Sequence, residues 1–297
     1  MLKHNYLVIG HPNSETLAKN IAKKLKTKYL KTTLKVFPDG ESKLTFSGNI
    51  KNEKIIVVSS TGPPVDSNIV QTLSLISKSR EMSSQVIAVV PYMGYAKQDK
   101  EFLKGEIITI SVIAKLFKAV GATQLIVVDF HSPNALSFFK FPTKNISAVS
   151  LFAEYFRNHK LKNPLVVSPD MYWKSNAEIF AKYLKATVIA LNKQRDRTSG
   201  KLVINSSFPK FSKGNDLILF DDMVSSGESI LKAIKFLKKE NFRKIYVVCT
   251  HPVFVGYSEK EIKEAGVTTI IGTNSIDGKF SKLDLSGIIS KSIQDWE

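Results

Sequence analysis

Short apolar runs alternate with longer amphipathic stretches along almost the whole chain, and this alternation constrains the fold more than any other feature. The runs that predict strands are 6–9, 34–37, 55–59, 86–90, 125–129, 165–168, 188–191, 217–220, 245–250 and 268–271. Several are unbroken Val, Ile and Leu, the pattern of a strand buried on both faces of a parallel sheet. Between them, Ile69, Val70, Leu73 and Ile76 fall on one helical face. So do Val112, Ile113, Leu116, Phe117 and Val120, and so do Ile230, Leu231, Ile234 and Leu237. Gly121 follows its helix where a C-terminal cap glycine belongs. The expectation is an α/β protein with ligand sites at the C-terminal ends of its strands. A domain boundary is expected near 143–150, after a loop at 131–142. Residues 201–212 read as a small hairpin or flap, and 281–297 as a tail folding back as a final helix.

At about 150 residues per domain, 297 residues make two domains. With 43% apolar and 23% charged residues, the composition is globular, which excludes disorder, collagen and coiled coil. Cys249 is the only cysteine, so no disulfide framework forms within one chain, and a reducing compartment fits. No apolar run approaches the roughly 20 residues that cross a bilayer, and residues 1–11 lack the pattern of a signal peptide. A soluble cytoplasmic protein without a membrane partner is expected. The 43 basic residues exceed the 26 acidic ones by 17. That excess suits either a nucleic-acid surface or the holding of anionic small molecules. The lysines are scattered, as in Lys23-Lys24-Leu25-Lys26, and read as solvated helix faces. No zinc-finger spacing or aromatic RNA-binding pattern accompanies them, so no nucleic-acid partner is expected.

The chemistry collects just after the strands. The apolar run 217–220 leads into Asp221-Asp222-Met223-Val224-Ser225-Ser226-Gly227-Glu228-Ser229, where a helix begins. Two carboxylates at a strand end can accept hydrogen bonds from vicinal sugar hydroxyls. Backbone amides and hydroxyls at a helix start can hold a phosphate. An Asp-rich turn with an ordinary N-cap carries the same letters.

This segment resembles the ribose-5-phosphate loop of ribose-phosphate pyrophosphokinases, the phosphoribosyl-pyrophosphate synthases. A looser form of it occurs in phosphoribosyltransferases. Phe37-Pro38-Asp39-Gly40-Glu41-Ser42 resembles the synthases' adenine-recognition segment, and Pro91-Tyr92-Met93-Gly94-Tyr95-Ala96-Lys97-Gln98-Asp99 their second ATP segment. Val128-Asp129-Phe130-His131-Ser132 and Val167-Ser168-Pro169-Asp170 are similar to their metal-site strands. Asn192-Lys193-Gln194-Arg195-Asp196-Arg197 resembles their catalytic flexible loop, and Thr250-His251-Pro252-Val253-Phe254 is also typical of them. The matches keep the family's order from about residue 37 to 254. Each is weak alone; their succession is specific.

The resemblance implies two similar phosphoribosyltransferase-type domains, each a largely parallel sheet flanked by helices, at 1–146 and 147–280, with a tail at 281–297 rejoining the first. It implies a transferase of nucleotide biosynthesis that moves the β,γ-diphosphoryl group of ATP to the 1-hydroxyl of ribose 5-phosphate, giving phosphoribosyl pyrophosphate and AMP. Positioning and cationic stabilisation dominate such a transfer, and Mg²⁺ is the implied cofactor. His131 and Asp170 would help hold the metal. Phe37, Asp39, Glu41, Lys97, Gln98, Asp99 and His131 would bind ATP, with the Phe37–Glu41 segment supplied by a neighbouring subunit of a homo-oligomer. Lys193 and Arg195 would act as catalytic cations on a moving loop, Arg195 also reaching the sugar phosphate; Arg197 has no assigned role. Asp221 and Asp222 would take the ribose hydroxyls, and Ser225, Ser226, Gly227, Glu228 and Ser229 the 5-phosphate. Taken without the family, His131 reads more readily as a structural histidine, Lys193 and Arg195 as a solvated basic loop, and Pro38-Asp39-Gly40 as a simple turn.

Three positions depart from the family pattern. Met171-Tyr172-Trp173-Lys174 stands where the synthases carry a Gly-containing turn that closes on pyrophosphate. Ser226-Gly227-Glu228-Ser229 replaces Thr-Gly-Gly-Thr, putting a carboxylate where a phosphate is expected, and Lys97 replaces Arg. These departures leave open a weakly active or non-catalytic paralogue serving as regulatory subunit of a true synthase. A phosphoribosyltransferase and a nucleic-acid binder are the remaining alternatives.

Overall fold

The computed structural model describes residues 6–48, 54–191, 193–195, 202–204, 214–237 and 240–296, with backbone alone for 193–195 and 202–204. It divides into two compact units. The first holds Met1–Ser147, Asn274–Lys279 and Asp284–Glu297; the second holds Ala148–Thr273 and Phe280–Leu283.

The first unit runs β1 (Tyr6–Gly10), α1 (Glu15–Leu25), β2 (Lys28–Lys31), β3 (Thr33–Val36), β4 (Ser42–Thr45), β5 (Lys54–Val58), α2 (Val65–Met82), β6 (Val86–Val90), α3 (Thr109–Ala119), β7 (Gln124–Val128), α4 (Pro133–Leu136) and β8 (Thr143–Ile146). Six strands form one sheet in the order β2-β1-β5-β6-β7-β8, every pair parallel. All five residues of β1 and all five of β6 are buried, which explains their unbroken apolar letters. Leu7 and Ile9 of β1 and Val86, Ala88 and Val90 of β6 share one core with Ile110, Ile113 and Phe117 of α3 and Ile69, Leu75 and Ile76 of α2. Gly121 closes α3 at φ +100°, and a Cβ there would lie 2.4 Å from the Arg80 side chain.

The second unit runs α5 (Val149–Arg157), β9 (Leu165–Ser168), α6 (Lys174–Leu184), β10 (Thr187–Ala190), β11 (Lys193–Arg195), β12 (Leu202–Ile204), β13 (Asp216–Val224), α7 (Glu228–Leu237), β14 (Lys244–Pro252), α8 (Ser258–Glu264), β15 (Thr269–Thr273) and β16 (Ser281–Leu283). Its sheet order is β10-β9-β13-β14-β15-β16, again with every pair parallel. The two sheets therefore repeat one topology: first strand flanked by second and third, then a march outward. The last helix, α9 (Ser286–Gln294), belongs to the first unit, where it packs on α1.

Several sequence expectations change. The strand expected at 34–37 is β3, which leaves the main sheet and pairs antiparallel with β4 in a separate hairpin. The strands β2, β8 and β16 lie at sheet edges and escape the apolar-run pattern; Lys28, Lys31, Lys144 and Lys282 show why, since an edge strand tolerates charge. Val70, Val112 and Leu116 are exposed instead of facing the core; of the residues expected on those two faces, Ile69, Ile76, Ile113 and Phe117 are buried. The expected loop at 131–142 contains the short helix α4. The expected flap at 201–212 is described only at 202–204, where β12 pairs with β11; its other residues lie outside the described residues.

Candidate active site

A parallel sheet offers a crevice at the C-terminal strand ends where the strand order reverses. In the second unit that point lies between β9 and β13. Asp170 stands two residues beyond β9, and Asp221 and Asp222 stand within β13. β13 is nine residues long and buried throughout, so its core-forming start, Leu217–Phe220, drives the two carboxylates to a fixed depth. Phe220 locks this stretch: its ring lies 4.6 Å from Phe180, 5.5 Å from Phe152 and 6.2 Å from Trp173. Burying one such ring contributes about 1.5–3 kcal/mol.

The carboxylates are organised by local hydrogen bonds. Asp221 Oδ1 accepts from the Asp222 amide at 3.0 Å, and Asp222 Oδ1 from the Met223 amide at 2.8 Å. Asp170 Oδ1 accepts from the Tyr172 and Trp173 amides at 3.0 and 3.3 Å, and the Ser168 hydroxyl donates to the Asp170 carbonyl at 2.7 Å. Burial, then the neighbouring Asp222 and Asp170 charges, raise the Asp221 pKa well above the usual carboxylate value. Cys249 stands opposite Asp221 on β14, and burial pushes its thiol above the ordinary value, so it packs as a neutral group.

Beyond β13 the chain turns through Ser225 and Ser226 to Gly227 at φ +76°. A Cβ on Gly227 would lie 2.8 Å from Ile262 Cδ1, so glycine is needed both for its conformation and for the approach of α8. The turn is pinned where Phe254 N donates to Val224 O at 2.9 Å and Val255 N to Ser225 O at 3.2 Å. Ser226 is exposed and Ser225 and Ser229 are half-buried at the start of α7. Glu228 is exposed and its carboxylate pairs with Lys232 one turn along the helix. What Glu228 offers an anion at this helix start is its backbone.

In the first unit the expected nucleotide residues fall into two groups. Lys97, Gln98 and Asp99 follow β6, and His131 follows β7. Ser132 joins these loops: its hydroxyl donates to the Asp99 carboxylate and accepts from the Asn134 and Ala135 amides at 3.1 and 3.3 Å, capping α4. Asn134 Nδ2 donates to the Asp99 carbonyl at 2.6 Å. Gln98 Oε1 accepts from the Thr109 hydroxyl at 2.6 Å, and Lys97 is exposed. His131 is half-buried. The second group, Phe37, Asp39 and Glu41, forms the tip of the β3–β4 hairpin. Phe37 N donates to Glu41 O at 2.8 Å, Glu41 N to Asp39 Oδ1 at 3.0 Å, and Lys35 Nζ lies 4.9 Å from the Phe37 ring. Asp39 and Glu41 are exposed.

Lys193 and Arg195 lie on β11, paired with β12; their side chains, like all of Asn192, Asp196 and Arg197, lie outside the described residues. Sequence reading missed Ser132 and Asn134 as the clasp on Asp99, although Ser132-Pro133 is a recognisable helix start. It also missed the part played by Trp173, whose indole turns into the core against Phe220.

Among the described residues no three His, Cys, Asp or Glu side chains form a ready metal cluster. The donors present still fit Mg²⁺. Asp170, Asp221 and Asp222 carry hard oxygen donors, and the charges of Asp222 and Asp170 help raise the Asp221 pKa. Mg²⁺ is commonly held by one or two carboxylates together with substrate phosphates and water.

Repeated open parallel sheets with polar loops at their C-terminal strand ends define an α/β protein of the class that binds ligands at a topological switch point. Residues 6–121 match the N-terminal domain of ribose phosphate pyrophosphokinase, and residues 212–294 match the phosphoribosyl synthetase-associated domain. A ribose-phosphate pyrophosphokinase of Methanobrevibacter smithii is 33% identical over 299 residues, covering 97% of this chain and 100% of the relative. One of Methanosarcina acetivorans is 32% identical over 289 residues, covering 97% and 99%. The fold matches a phosphoribosylpyrophosphate synthetase from Mycobacterium smegmatis with a TM-score of 0.86 at 24% identity, covering 98% of each chain. The chain belongs to the ribose-phosphate pyrophosphokinase family.

Proposed function

We propose that the protein is a ribose-phosphate diphosphokinase, converting ATP and ribose 5-phosphate to phosphoribosyl pyrophosphate and AMP. The observation that carries this reading is the end of β13: two carboxylates held by backbone amides, followed at once by a glycine turn and a hydroxyl-rich helix start. Asp221 and Asp222 accept the ribose 2- and 3-hydroxyls, which orients the ring. The backbone and hydroxyls from Ser225 to Ser229 hold the 5-phosphate at the positive end of α7. The anomeric hydroxyl then attacks the β-phosphorus of ATP; its oxygen–phosphorus bond forms as the bond from that phosphorus to the α-phosphate oxygen breaks, and AMP leaves.

Lys97, Gln98 and Asp99 bind the nucleotide beside His131. Phe37, Asp39 and Glu41 act from the exposed hairpin tip of a neighbouring copy in a homo-oligomer. Lys193 and Arg195 meet the negative charge that builds on the transferred group, Arg195 as a fork on phosphate oxygens. His131 and Asp170 are each read as residues that would hold Mg²⁺, which when bound would supply neutralisation of the triphosphate charge. The departures at Trp173 and Glu228 are compatible with catalysis, because the indole packs on Phe220 and the carboxylate pairs with Lys232. Among the described residues no helix is long and apolar enough to cross a membrane, and a cytoplasmic enzyme is the reading that fits.

The purified protein with ATP and Mg²⁺ is assayed for AMP with and without ribose 5-phosphate. AMP formation that requires the sugar supports the proposal. No activity alone, with activation of an added family member, favours a regulatory subunit.

A further inference from the structure

Trp173 stands at a junction that the proposed reaction leaves unused. Its side chain is 4% exposed, and its ring meets Phe220 edge-on with centroids 6.2 Å apart. Phe220 immediately precedes Asp221 on β13. The Trp173 amide donates to Asp170 Oδ1, and its carbonyl accepts from Ala177 at 3.0 Å in the first turn of α6. One residue thus touches the carboxylate after β9, the start of α6 and the aromatic core beneath the carboxylates of β13. The indole Nε1 is buried without a hydrogen-bond partner among the described residues. A buried N–H left unpaired is unfavourable, so what the indole contributes here is the packing of its ring and not that donor.

We propose that Trp173 is a positioning residue that sets the Asp170 carboxylate against Asp221 and Asp222, through its ring on Phe220 and its amide on Asp170. A glycine-rich turn holds a carboxylate only by backbone geometry; here an aromatic ring fastened to the core fixes the turn from below. Asp170 lies within electrostatic reach of Asp221, so a shift of this turn alters where the carboxylate offered to the metal stands. Outer groups that orient metal-binding residues change metal affinity by roughly 10- to 100-fold when removed. The inference rests on the reading of Asp170 as a magnesium-holding residue.

The test titrates Mg²⁺ in the presence of ribose 5-phosphate and follows thermal unfolding of the whole protein, alongside the Mg²⁺ dependence of turnover. Trp173→Leu is expected to raise the half-saturating Mg²⁺ concentration about tenfold in both measurements. Trp173→Phe, which keeps a ring and removes the unpaired N–H, is expected to stay within about twofold of the parent. Trp173→Met reads the same property if the Leu variant does not fold. Leu or Met variants that melt earlier yet keep the parent half-saturation overturn the proposal, since the indole then serves core packing alone. Asp170→Asn separates the two claims. If it shifts half-saturation and the Trp173 variants do not, positioning fails by itself; if it shifts nothing, the metal role of Asp170 fails and the inference falls with it.

Discussion

Glu228 and Lys232 pair across one turn of α7 on its exposed side, so the carboxylate that interrupts the phosphate-loop pattern is already neutralised by its own helix. An exposed pair at this spacing contributes a few tenths of a kcal/mol at most. Its importance lies in direction: Glu228 is occupied with a lysine further along the helix from the turn at Gly227.

Replacing Glu228 with Gln is therefore expected to change the KM for ribose 5-phosphate by less than about threefold, with kcat preserved, because screening limits exposed charges. Steady-state kinetics at two salt concentrations measure this. A tenfold fall in KM at low salt would mean that the carboxylate faces the substrate phosphate.

Lys193→Ala is expected to lower kcat by about 100-fold or more while the KM for ATP moves little, as for a cation that acts mainly in the transition state. Equal losses in kcat/KM for ATP and in ATP binding would assign Lys193 to ground-state binding instead.

Asp284 predicts an acid-sensitive clamp on the C-terminal helix. Burial pushes its carboxyl up, but hydrogen bonds from the Ser286 amide and hydroxyl, Asn274 and Asn20 outweigh this and hold its pKa below the ordinary value. A depressed native pKa means that the unfolded chain binds more protons at moderately acid pH. The stabilisation is then complete above the unfolded value near 4 and is lost as pH falls through the lower native one. Asp284→Asn is expected to lower the melting temperature at pH 7, with a difference from the parent that shrinks towards pH 2–3. A difference that is constant across this range would remove the charge from the explanation.

The buried strands were legible because a strand covered on both faces must be apolar at every position, as Val86–Val90 and Leu165–Val167 are. The edge strands were not: Lys28–Lys31 and Thr143–Ile146 bury little, and their letters match a loop. The exposed Val70, Val112 and Leu116 misled the helix faces, since an apolar residue beside a core stripe satisfies the same spacing whether or not anything covers it. At the candidate site, Asp170, Asp221 and Asp222 stood out by following apolar runs. The clasp of Ser132 on Asp99 joins residues 33 positions apart, and the contact of Trp173 with Phe220 joins two different elements, so neither leaves a local pattern.

Phosphorus NMR of the pure protein incubated with ATP, ribose 5-phosphate and Mg²⁺ tests the central claim most directly. The account predicts AMP and a diphosphate attached to C1 of the sugar in equal amounts, from attack at the β-phosphorus. ADP together with a sugar bisphosphate, from attack at the γ-phosphorus, would contradict it.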